Sequence, residues 1–152
     1  MKNIIRTLIA GILLLAALQV SAMNEIQDPN GFADLRFGAS LEDIQASHQT
    51  KFLGYQSGTA AYHILVPDAH GSVYFSGSVV VRGVFTDNKL SSVIIAFSQE
   101  TIPARVAGMQ KLFGDYVKSH GMYQWSGPFS TIIMTSMNGN GMIAIVSKTY
   151  SK

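Results

Sequence analysis

The sequence predicts an α+β domain: an antiparallel sheet packed by one long and one short helix. Three observations lead there. Apolar residues recur at helical spacing through Ile102, Val106, Met109, Phe113 and Tyr116. Period-two alternation recurs over 60–66, 78–86, 90–98 and again between 122 and 149. Strands also come in runs beside isolated helices instead of alternating with them, which argues against a parallel sheet.

In chain order, residues 1–22 read as a secretory signal. Lys2 and Arg6 precede an almost wholly apolar stretch, and Val20-Ser21-Ala22 offers the small residues a signal peptidase reads. Cleavage is expected between Ala22 and Met23. The apolar run, broken by Arg6 and Gln19, is short of the ~20 residues a spanning helix needs. No stable membrane insertion is therefore expected after cleavage. Residues 23–31 are polar and read as a flexible lead-in to a single domain at 32–152. Removing Lys2 and Arg6 takes the 11 basic residues to 9, matching the 9 acidic ones. A neutral chain without a Lys/Arg cluster carries no footprint for nucleic acid. With no cysteine, a thiol nucleophile, a Cys-ligated metal and a lipid-modified Cys are excluded.

Ser40 with Asp43 forms a capping pair for a short helix that buries Leu41 and Ile44 and fades near Gln49. Residues 51–58 read as loop. A strand at 60–66 stops at Pro67-Asp68, and 73–75 is a short extended piece. Strands 78–86 and 90–98 pair around Asp87-Asn88-Lys89. A three-residue loop places Val79, Val81, Phe85, Val93, Ile95 and Phe97 on one face, which is core. The other face mixes Arg82, Thr86 and Ser92 with Val80, Val84 and Ile94 and is partly wet. Thr101 caps the long helix, Pro103 sits in its first turn, and Gly121 stops it beside His120. Strands 122–125, 129–137 and 142–149 follow, the last two joined through Asn138-Gly139-Asn140-Gly141.

These elements form helix plus about three strands, twice, which reads as two α-β-β-β halves. In outline that order resembles small exported inhibitors of the β-lactamase inhibitor protein family and the small outer-membrane assembly lipoproteins. Both rely on cysteine, for a disulfide or for lipid attachment, and this chain departs from them there.

Little in the sequence carries chemistry. His63, Asp68 and His70 are its one tight grouping of metal-capable side chains, and they fit no zinc or calcium spacing. No Gly-x-Ser-x-Gly, Ser-x-x-Lys or phosphate-cradling loop is present. No metal or cofactor is expected. The last strands are more informative. Ile132, Met134, Ile143 and Ile145 share one side. The other carries Phe129, Met137 and Met142 among Thr131, Thr135 and Lys148, joined by Tyr123 and Trp125 if Trp125 lies opposite Phe129. Aromatics and Met interleaved with Thr suit a partner-facing surface. Periodicity alone leaves open which side the helix covers.

The expected function is that of a periplasmic or secreted binding protein without catalysis, of inhibitor, immunity or envelope-accessory type. It would recognise a protein or peptide through Tyr123, Trp125, Phe129, Met137 and Met142. The alternatives are a small exported hydrolase using His63, Asp68 and His70, or a subunit of a larger envelope assembly.

Overall fold

The computed structural model describes residues 28–69, 75 and 77–151. The expected signal at 1–22 and residues 23–27 lie outside them, as does the short piece at 73–75 apart from Phe75.

The frame is one antiparallel sheet of eight strands. Its first four are β3 (Thr50–Gln56), β4 (Thr59–Val66), β5 (Val79–Thr86) and β6 (Lys89–Ser98). Its last four are β7 (Val117–Ser119), β8 (Met122–Ser126), β9 (Ser130–Met137) and β10 (Asn140–Ser147). The spatial order is β3-β4-β5-β6-β10-β9-β8-β7, so each set of four is a meander and the two meet at β6 and β10. A helix precedes each meander: α1 (Leu41–Ser47) the first, α2 (Ile102–Phe113) the second. A small hairpin, β1 (Gly31–Phe32) with β2 (Leu35–Arg36), precedes α1. Each half is therefore helix plus four strands, one strand more than expected, and the added strand is the sheet edge in both cases.

Those two edge strands correct the sequence reading. Residues 51–58, expected as loop, are mostly β3. Its alternation is hidden by a bulge between Phe52 and Gly54, which puts Phe52 and Tyr55 beside each other with ring centroids 5.0 Å apart. Residues 117–119, expected inside the long helix, are β7. The helix stops at Phe113 because Gly114 turns the chain with φ 79° and ψ −156°. His120 and Gly121 form the β7–β8 turn and do not cap a helix. Thr101 stands at the N-cap position of α2, but its side chain makes no capping hydrogen bond. It ends a 3-10 turn, Gln99–Thr101, and its hydroxyl donates to the Ser98 carbonyl at 2.8 Å. Pro103 does stand in the first turn of α2, and Ser40 and Asp43 do form a reciprocal capping box on α1.

Four hairpins close through two-residue turns: Ser57-Gly58, Asp87-Asn88, His120-Gly121 and Asn138-Gly139. Both central residues have positive φ in each, the type I′ pattern whose twist matches that of paired strands. At Asp87-Asn88 this replaces the expected three-residue loop, since Thr86 pairs with Lys89. The expected face survives because a bulge at Ser91 restores the phase: Phe85 pairs with Leu90, and Val84 with Ser92. The Ser91 hydroxyl donates to the Val84 carbonyl at 3.0 Å, which holds the bulge in place.

One sheet face is the core. Ile64, Val66, Val81, Phe85, Leu90, Val93, Ile95, Ile132, Met134, Ile143 and Ile145 lie in one buried cluster with Ile44 of α1 and Val106, Met109 and Phe113 of α2. Phe32 and Leu35 of the N-terminal hairpin, Phe37 just past it, Ala69 and Trp125 belong to the same cluster. Both helices and the hairpin thus bury their apolar sides against the same face.

The described residues are fastened from their first one. Asp28 is 8% exposed and accepts from the backbone N–H groups of Phe129 and Ser130, the latter at 3.1 Å, and from the Ser130 hydroxyl. Gly127 permits this approach, because a Cβ there would collide with the Asp28 carboxylate. Residues 28–31, expected within a flexible lead-in, are thereby tied to the β8–β9 loop and to the first strand.

Candidate functional site

Because Cβ atoms alternate along a strand, every core-facing residue is followed by one on the opposite face. That face is the candidate site. No described element packs on it. Its residues fall into rows fixed by the strand register. One row runs Ala61, Val84, Ser92, Val146, Thr131 and Ser126. The next runs Lys51, His63, Arg82, Ile94, Ala144, Ile133, Gln124 and Val117, a residue from every strand. Leu65 and Val80 pair toward one end, and Ala96, Met142 and Thr135 line up beyond the centre.

A sheet face turned to water ordinarily alternates toward polar side chains. This one mixes the polar residues of its rows with as many apolar ones. Val80 is 55% exposed, and Leu65, Val84, Ile94, Met137, Met142 and Val146 are partly exposed. Ile133 and Ala144 are buried at the middle of the face yet stand outside the main core cluster. Ala144, the smaller, lies in its row between Ile94 and Ile133, close enough for side-chain contact. Ser92, Thr131 and Thr135 are interleaved with these apolar residues, and the central region spans on the order of 30 by 20 Å at ordinary strand spacing.

The five residues singled out in the sequence divide between the two sides. Met137 and Met142 are on the helix-free face. Phe129 is 50% exposed but sits in the β8–β9 loop, outside the strands. Tyr123 and Trp125 are on the core side, opposite Met134 and Ile132. Trp125 is fully buried; its indole N–H donates to the Gly114 carbonyl at the end of α2 at 3.1 Å, and Tyr116 packs on its ring. The expected pairing of Trp125 with Phe129 fails because Ser126 pairs with Thr131. That displaces the register by an odd number and exchanges the faces. The five residues therefore do not share one face: Trp125 is in the core and Tyr123 packs against it.

The residues that sequence reasoning passed over come from the first meander: Leu65, Val80, Val84, Ile94 and Ala96. Their signal was the apolar character of a face read as partly wet.

Elsewhere, α2 borders an open groove of about 360 Å³ lined by Ala104, Arg105, Gly108, Met109, Leu112 and Ile143, with Thr101 at its end. Arg105 stacks on Phe75 and Phe97 at 4.3 and 4.6 Å from the ring centres. Desolvation by this burial lowers its pKa from the ordinary value.

His63 is exposed on the helix-free face between Lys51 and Arg82, Asp68 lies just past the end of β4, and His70 is outside the described residues. Among the described residues no group of three or more His, Asp or Glu side chains could hold a metal ion. No helix among them is long and apolar enough to cross a membrane. No family model, curated protein or solved structure matches the chain.

Proposed function

We propose that the chain is an exported binding protein that acts without catalysis, its partner a protein or peptide docking on the helix-free face of the sheet. The observation that carries this reading is the apolar centre of Leu65, Val80, Val84, Ile94, Met142 and Val146 on a face that no described element covers. Apolar side chains grouped and partly exposed on one face suit an interaction surface, and the paired strands beneath give it a rigid backing, so docking costs little ordering. Export rests on the N-terminal signal pattern. An inhibitor, immunity or envelope-accessory role fits both features.

Site-directed photo-crosslinking in the producing cell tests the surface. A photoreactive residue in place of Val80 or Ala96, both exposed on the helix-free face, should give a discrete protein adduct. The same residue at Gln110 or Lys111, exposed on α2, should not. Adducts only from α2, or none from the sheet, would overturn the reading.

A further inference from the structure

The charges on the helix-free face are of one sign. We infer that its partner is a polypeptide surface in which Asp or Glu side chains flank aliphatic or aromatic ones; this rests on that face being the docking surface. Lys51, His63 and Arg82 stand side by side on β3, β4 and β5 in one register row, and the same row continues directly into Ile94, Ala144 and Ile133. At the other flank Lys148, just past β10, donates to the Ser126 hydroxyl at 2.8 Å and to the Gly127 carbonyl, both uncharged acceptors. No Asp or Glu among the described residues occupies a strand position of this face. They lie on α1, in turns and in connections. The ion pair found among the described residues joins His48 to Asp34, away from this face, so Lys51, Arg82 and Lys148 have no carboxylate of the described residues within ion-pair reach.

An apolar centre with uncompensated cations at its rim has a complement. A partner's aliphatic side chains would fill the middle, and its carboxylates would meet Lys51 and Arg82. Rim charges of this kind set orientation and association rate and reject partners of like charge. A nucleic acid is the poorer match. Phosphates would use the few cations, but the aliphatic centre offers a sugar-phosphate backbone nothing.

The test selects short random peptides displayed on phage against the folded chain and follows the labelled winners by fluorescence anisotropy. The selected peptides should combine Asp or Glu with large apolar residues. The double variant Lys51→Glu/Arg82→Glu should weaken them about tenfold, an effect that fades as salt is raised. The control Lys111→Glu/Lys118→Glu, on the helix side, should leave them unchanged. Thermal unfolding of each variant guards against loss of fold, and the milder Lys51→Glu and Arg82→Gln variants should show the same ordering. Winners without acidic residues that survive the charge reversals but fail with Val146→Asp would overturn the acidic partner and leave the docking face standing. Winners indifferent to every substitution on the face would overturn both. A labelled DNA duplex that binds and is released by the reversals would overturn the polypeptide class.

Discussion

Trp125 anchors the second half of the molecule through packing on Tyr116 and a hydrogen bond to the Gly114 carbonyl. Trp125→Ala should therefore cost about 3–5 kcal/mol in denaturant unfolding, the range for emptying a buried aromatic site. Asp28 acts over a longer sequence distance. Asp28→Ala leaves the N–H groups of Phe129 and Ser130 without their acceptor, so a loss of about 1–3 kcal/mol is expected by the same measurement. Asp43 is a solvent-facing case with a pH signature. Its pKa is lowered first by the side-chain hydrogen bond with Ser40, then by the backbone bond from Ser40, against a small desolvation. A carboxyl whose folded pKa is depressed stabilises fully above its unfolded pKa of about 3.9 and loses that contribution as pH falls through the folded value. The melting-temperature gap between the parent chain and Asp43→Asn should thus be widest above about pH 5 and close in more acidic buffer.

Among the elements, α2 shows what was legible in the sequence and what was not. Its buried stripe of Val106, Met109 and Phe113 was readable from spacing alone, as was the capping box on α1. Its end was not. Tyr116 continued the periodicity, yet Gly114 breaks the helix in a backbone conformation closed to L side chains, and Tyr116 instead reaches Trp125 and Tyr123 from the turn. Two glycines of this segment should therefore behave oppositely. Gly108 is mid-helix, with no atom near an added Cβ, so Gly108→Ala should stabilise by about 0.5–1 kcal/mol. Gly114→Ala should destabilise by about 1–3 kcal/mol in parallel melts. The strands carry the same lesson. The core face of β5 and β6 was legible because burial fixes alternation, although the turn was shorter and a bulge made up the difference. The β8–β9 register was not legible, because Asp28, a hundred residues away, holds the loop that sets it. In the sequence alone, Gly127 and Pro128 leave the parity of the β8–β9 connection open, and with it the side on which Trp125 falls.

At the scale of the molecule, two helix-plus-four-strand halves meet at β6 and β10 and place both described α-helices on one side of a single sheet. This architecture divides the apolar residues into a core that folds the chain and a second set on the opposite face, beside Lys51, Arg82 and Lys148, that no described element covers. Adjacent residues at the centre of β10 separate the two roles. Met142 is on the helix-free face and partly exposed, while Ile143, next to it, is fully buried in the core. Thermal unfolding of Met142→Glu beside Ile143→Glu is the most direct measurement. Ile143→Glu should abolish the cooperative transition, since it buries an unpaired charge. Met142→Glu should fold and melt within about 5 °C of the parent chain, a shift on the scale of 1 kcal/mol for a domain of this size. Loss of the transition in both variants would mean that the second face is itself interior, and the docking surface would be gone with it.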